Sequence, residues 1–248
     1  MTAIQPSALS ALRLIIAHTR RLVFFGGAGV STASGIPDFR SSTGLYAESA
    51  NSLSAEMILS KSFLHLQPEA FFAYYRSHLL FPDAKPNAAH RYLWELEKKD
   101  ILRGIVTQNV DGLHRLAGNR RVYELHGSVY ENACMECNAS YPMEAILHSE
   151  GIPRCSCGGV IRPGIVLYGE PLEPFVLIGA RREIASANTM IVAGTSLAVE
   201  PAASLIDGFS GKDLVVINNE QTPADARATL VIRGDVSEVF EKLMNGSP

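Results

Sequence analysis

The sequence predicts an α/β fold, a parallel sheet covered by helices on both faces with a smaller lobe inserted into it. Three observations carry that expectation. Six short apolar runs, at residues 21–27, 102–109, 121–127, 189–196, 213–219 and 228–234, alternate with helical patterns. Strands that are apolar throughout suit a sheet buried on both faces. The first run ends in "FFGGAG", as a nucleotide-binding strand of the Rossmann-like type does. Two stretches, 41–86 and 127–163, interrupt the alternation and read as insertions.

Taken in order, the elements read as follows. "MTAIQPSALSALRLIIAHTRR" is an amphipathic helix capped near Ser7. Its charges follow its apolar part, the reverse of a secretory signal, so a cytoplasmic protein is expected. Residues 41–86 lack strand runs and read as a loop followed by helices, including "PEAFFAYYRSHLL". Asn87 is a plausible cap for a helix to Lys99, with Tyr92, Leu93 and Leu96 on one side. Further helices are expected over Pro174–Ala187 and after Asp235. The domain expectation is thus a Rossmann-like unit of residues 1–40, 87–126 and 164–248. A small domain would combine a helical insertion, 41–86, with a cysteine-bearing insertion, 127–163.

Composition excludes several classes. The chain of 248 residues is 47% hydrophobic and 19% charged, ordinary for a globular protein. A net charge of −3 gives no broad attraction to nucleic acid or anionic membrane. The longest apolar runs are too short to span a bilayer.

The chemistry-bearing residues gather at predicted strand ends, where parallel sheets bind ligands. Glycines 26, 27 and 29 allow close backbone approach to a pyrophosphate, yet Thr32 stands where a third fingerprint glycine would. Gly194, Thr195 and Ser196 end a second strand, and Asn218 and Asn219 end a third. Any one of these, alone, reads equally as turn chemistry; together they favour a dinucleotide. Gln108, Asn109 and Asp111, with Val110 between, make a strand end too polar for a core, although Asp111 also suits a helix cap. His126 closes an apolar strand before a glycine, where an imidazole can serve as a general base. His18, His65, His78, His90 and His148 read as packing or surface residues, and His114 as intermediate. Cys134-x2-Cys137 and Cys155-x-Cys157, separated by 17 residues, match a four-cysteine zinc ribbon with a shortened second pair. Four sulfur ligands leave no open position, so such a Zn2+ would be structural. Four reduced thiols are the bland alternative.

These segments, "GAGVSTASGIPDFR", "TQNVDGLH", "ELHG", the paired cysteines, "IRPGIVLYGE", "GTSLAVEPA" and a late "IN", resemble the motif series of the sirtuins, NAD-dependent protein lysine deacylases. They occur in that family's order over residues 20–236, and the short termini resemble its compact bacterial members. The resemblance implies that the segment behind the glycines folds over NAD. Gly27, Ala28, Gly29, Thr32, Asp38 and Arg40 would then hold the cofactor, with Phe39 hindering return of nicotinamide. Asn109, Val110 and Asp111 would orient the nicotinamide end and Gln108 the ribose. Gly194, Thr195, Ser196, Asn218 and Val236 would hold the remainder. It further implies His126 and Asn109 as catalytic residues and an acylated protein lysine as partner. The segment with Val166, Tyr168, Gly169 and Glu170 would pair with the peptide as an added strand. The products would be free lysine, nicotinamide and O-acyl-ADP-ribose. The region Phe63–Phe72 suits either an acyl-lysine tunnel or a core.

Members preferring dicarboxylic acyl groups carry a tyrosine three residues before an arginine. Here Ala73 precedes Arg76 at that spacing, which leans towards acetyl and other neutral groups. A monomer is expected. Rival readings are an NAD-dependent oxidoreductase, a zinc-ribbon binding module and, within the family, a protein ADP-ribosyltransferase. The oxidoreductase lacks an acidic second-strand end, since "LYAESANSLSAEM" does not read as a strand.

Overall fold

The computed structural model of the chain describes residues 4–38 and 53–246. Helix α1 (Pro6–His18) starts one residue before the expected cap. Pro6 occupies its first turn, where a missing N–H costs nothing, and Gln5 stands at the N-cap position without a side-chain capping bond. Strand β1 (Leu22–Gly26) leads into two single-turn 3-10 segments. Short helices α2 (Ala55–Ile58) and α3 (Lys61–Leu66) follow, each opened by a serine, Ser54 or Ser60, whose hydroxyl accepts a backbone N–H. The next helix, α4 (Pro68–His78), again begins on a proline. Asn87 caps α5 (Ala88–Lys98) as the sequence suggests, its side chain accepting from Ala89 N–H.

The chain continues through β2 (Leu102–Thr107), α6 (Leu113–Leu116) and β3 (Val122–Glu124). The cysteine-bearing stretch holds β4 (Asn132–Cys134), β5 (Ser140–Tyr141), α7 (Glu144–Leu147) and β6 (Ile161–Arg162). Then come α8 (Pro174–Ser186), β7 (Thr189–Ala193), β8 (Asp213–Ile217), β9 (Leu230–Ile232) and α9 (Val236–Met244).

All six expected strands form one parallel sheet in the order β3-β2-β1-β7-β8-β9. Alternate residues of each strand face opposite sides. Leu22, Phe24, Ile105, Ile191 and Val215 pack with Leu9, Leu12, Leu93 and Phe240 from α1, α5 and α9. Val23, Phe25, Val106, Val192 and Val216 pack with Ala180 and Ile184 of α8. Complete burial of each large apolar side chain contributes roughly 1.5–3 kcal/mol, which is why neither face can carry a charge.

The second sheet is antiparallel, in the order β5-β4-β6. Its core joins Phe71, Phe72 and Tyr75 of α4 to Met143, Ile146 and Ile161. Phe63, Phe71 and Phe72 are buried in this core, and none of the three lines the cleft cavity described below.

Two histidines show how the first core responds to acid. His90 and His114 are buried with their rings 4.7 Å apart. Burial, helped by Arg91, pushes the His90 imidazole down to about 4. Burial, helped by His90, holds His114 well below the usual histidine range. Both stay neutral in the fold, whereas the unfolded chain protonates them below about 6.5. Stability is thus complete above that value and is lost as the pH falls towards 4, at about 1.4 kcal/mol per pH unit per proton. The urea midpoint should drop measurably between pH 7.5 and 5.5. An unchanged midpoint would mean these rings are charged in the folded state.

Candidate active site

Strand order reverses between β1 and β7, and a cleft opens beyond their carboxyl ends, where such sheets bind ligands. A cavity of about 380 Å³ lies there. The loops after β1 and β7 meet back to back at its floor. Gly29 N–H donates to Gly194 O at 2.9 Å. A methyl group on Gly27 would stand 2.8 Å from Gly194 O, and one on Gly29 would stand 2.8 Å from Gly194 Cα. Gly194 has φ +59°, and a Cβ there would meet Val30 N at 2.6 Å. The glycines thus serve contact between two loops as well as backbone access. Gly27 lies behind the cavity wall, while Ala28, Gly29 and Thr32 line it.

The polar strand ends converge around a residue that sequence reasoning passed over. Ser31 Oγ donates to Asp111 Oδ2 at 2.6 Å and accepts from Asn109 Nδ2 at 3.0 Å. The only signal for it was its place in the glycine loop among other small polar residues. Asp111 does both jobs weighed for it: Oδ1 accepts Leu113 N–H at 2.8 Å at the start of α6, while Oδ2 faces Ser31. Burial pushes its carboxyl up, against the opposing hydrogen bonds from Ser31, Leu113 and Asn109. Gln108 Oε1 accepts the Thr195 hydroxyl at 3.2 Å, tying the β2 end to the β7 end. Its buried Nε2 has no partner among the described residues. An unpaired buried donor at a cleft wall is what a ligand oxygen would satisfy.

His126 lines the same cavity. Its Nδ1 stands 2.9 Å from the Gln108 carbonyl oxygen, an acceptor, so Nδ1 carries the proton and Nε2 keeps its lone pair. Burial pushes the ring's pKa down, partly opposed by that hydrogen bond. The imidazole is therefore neutral at physiological pH, the state a base needs.

Asp38, Val110, Ser196, Asn218 and Val236 also line the cleft, as do Val166, Tyr168, Gly169 and Glu170. Phe39 and Arg40 fall outside the described residues. The segment 165–170 is anchored on both sides. Val166 N–H donates to His126 O at 2.8 Å, and Tyr168 exchanges backbone bonds with Leu59 and Lys61, 3.0 Å each. Both Glu170 oxygens take Arg162 at 2.9 Å, and Oε2 also accepts Leu167 N–H. Burial works against the Glu170 carboxylate, but those donors outweigh it and hold its pKa below the usual range. Glu170 consequently braces the segment from within.

His78, expected as a packing or surface residue, lines the cleft together with Leu59, Leu79 and Phe81. Its helical setting gave no hint, because the end of α4 turns towards a segment far away in sequence.

All four cysteine sulfurs lie within 4.8 Å of one another and none is in a disulfide. Cys134 and Cys157 are 3.5 Å apart, and Cys137 and Cys155 3.6 Å. Tetrahedral zinc with Zn–S bonds of about 2.3 Å requires sulfur separations of roughly 3.8 Å. The four cysteines fit zinc, and the one-residue spacer of the second pair does not prevent convergence.

Comparison with known proteins supplies the family. Residues 27–201 match the model of the Sir2 family. The chain belongs to the Sir2 family. This Sir2 chain is 48% identical over 240 residues to an "NAD-dependent protein deacetylase" of Clostridium perfringens, covering 96% of this chain and 98% of the relative. One of the same description from Cutibacterium acnes is 50% identical over 226 residues, covering 91% and 93%. Among solved structures, "Sir2-p53 peptide-NAD+" superposes with a TM-score of 0.84 at 39% identity over 96% of this chain and 98% of its own. "Structure of Sir2Tm bound to a propionylated peptide" gives 0.84 at 38% identity, with the same coverage. Among the described residues of this Sir2 chain, no helix is long and apolar enough to cross a membrane.

Proposed function

We propose that this Sir2-family chain is an NAD-dependent protein lysine deacylase. It moves the acyl group of an N6-acyl-lysine to ADP-ribose and releases nicotinamide. The observation that carries the reading is His126, a neutral base whose Nε2 keeps its lone pair, in the same cavity as the Gln108, Asn109 and Asp111 strand end.

Bound NAD supplies the ribose carbon that receives the acyl oxygen as nicotinamide leaves. Asn109 and Asp111, fixed by Ser31, orient the nicotinamide end. Gln108 Nε2 would donate to a ribose hydroxyl, and Thr195, Ser196 and Asn218 would hold the phosphate and adenosine portions. His126 Nε2 accepts the proton of a ribose hydroxyl, making it a nucleophile towards the acyl carbon. Val166 and Tyr168 bound the groove in which the peptide lies. Cys134, Cys137, Cys155 and Cys157 would hold a zinc ion whose role is to keep the small domain in shape, since four sulfur ligands leave no open position for substrate. That domain comprises residues 41–86 and 127–163, with the remainder forming the NAD-binding unit.

Neutral acyl groups are the preferred class. No lysine or arginine lines the cleft among the described residues. Arg76, the candidate partner for an acyl carboxylate, donates instead to Ser149 Oγ at 3.2 Å. Acetyl and propionyl peptides should turn over at least about tenfold faster than a succinyl peptide, the scale of one missing charged hydrogen bond. Equal rates would remove this preference. The protein is taken to act as a cytoplasmic monomer on acylated lysines, without nucleic acid or membrane, and its net charge of −3 accords with the absence of such polyanion partners.

Incubation with NAD and an acetylated peptide should release nicotinamide and O-acetyl-ADP-ribose without forming NADH. NADH formation would favour the oxidoreductase. ADP-ribose on the peptide would favour the transferase. Neither finding is compatible with deacylation as the main reaction.

A further inference from the structure

The cysteine cluster contains a contact that the four ligands alone do not explain. Tyr141 Oη donates to Cys155 Sγ at 3.0 Å. Tyr141 sits on β5, in register with Asn132 of β4, so its backbone belongs to the hairpin carrying Cys134 and Cys137. Its hydroxyl reaches across to the other pair. We propose that Tyr141 is a positioning residue for the zinc site, an outer hydrogen-bond donor that straps the two cysteine pairs together and retains the metal.

Two features argue for this role. Four thiolates around a dication leave a net charge of −2, and each hydrogen bond donated to sulfur disperses it. Cys134 receives Glu136 N–H at 3.4 Å within its own turn. Cys155 lies in the tighter pair, with one intervening residue, and takes its side-chain donor from the opposite hairpin. Hydrogen-bond partners of metal ligands orient the ligand and typically govern 10–100-fold in metal affinity.

The strap also points beyond the metal. Tyr141 O accepts from Asn132 Nδ2 at 3.3 Å, and Asn132 Oδ1 accepts Gly164 N–H at 3.1 Å. Gly164 immediately precedes the anchored segment 165–170 and packs so closely that a Cβ would stand 1.4 Å from Glu131 O. Loosening around Cys155 therefore has a short covalent and hydrogen-bonded route to one wall of the cleft.

The test is zinc release from purified full-length protein into an excess of a colorimetric chelator. This rests on zinc occupancy, so the wild type is first assayed for metal. One equivalent of zinc per chain supports the cysteine reading, and none overturns both it and the strap. With zinc present, Tyr141→Phe should bind one equivalent yet release it about 10–100-fold faster, because only the hydroxyl is lost. Release within twofold of wild type would overturn the proposal. Zinc-loaded Tyr141→Phe should keep the wild-type far-UV circular dichroism, whereas fast release accompanied by a lost spectrum would indicate lost packing and overturn it too. The readout is metal retention, so it is separate from any failure of the deacylase reading.

Discussion

Replacing His126 by alanine is expected to lower deacylation by about 10²–10⁴-fold, the range of a positioned general base. NAD affinity should change little. The expectation rests on direction as well as proximity. Nδ1 is committed to the Gln108 carbonyl at 2.9 Å, so the other nitrogen is the one available to a substrate hydroxyl. Because burial depresses the imidazole, the base stays active below the ordinary histidine range. The rate should hold from neutral pH down past about 6.5 and fall only once the ring takes a proton. A variant with near-normal turnover, or a wild-type rate that rises as the pH falls below 6, would remove His126 from the mechanism.

Loss of the zinc ligands should have the other large effect. Structural zinc contributes apparent binding energies of about 10–16 kcal/mol in small domains. Here Cys134 and Cys155 belong to the same buried cluster as Phe71, Phe72 and Tyr75. Cys134→Ala should leave far less than one equivalent of metal and abolish turnover. The parallel sheet has its own two cores and does not share that cluster. Residual NAD binding and most of the helical circular dichroism should consequently survive. Metal-free protein that deacylates at the wild-type rate would show that the cysteines are dispensable.

The parallel sheet was legible because its strands are apolar on both faces, a pattern hard to produce otherwise. Each of the six runs became a strand, Asn87 capped its helix as read, and a helix follows Asp235 as expected. Strand ends carrying Gln108, Asn109 and Thr195 were legible for the same reason, since polarity stands out after an apolar run. Ser31 was not, because one hydroxyl in a loop of small residues looks like solvent contact until Asn109 and Asp111 arrive from 78 and 80 residues away. Nor was His78, whose relation to the cleft depends on how α4 is docked. The bracing role of Glu170 was hidden likewise, as Arg162 lies eight residues earlier, across a turn. Contacts made by tertiary docking leave no local period to read.

The back-to-back meeting of Gly27 and Gly29 with Gly194 has a consequence for how this protein can diverge. A methyl group on one loop has nowhere to go unless the opposite main chain retreats, and no side-chain change on that loop can make room. These three positions should stay frozen in any lineage that keeps the cradle. Variation in cofactor handling must then arise at neighbours that line the opening, such as Ala28, Thr32 and Ser196.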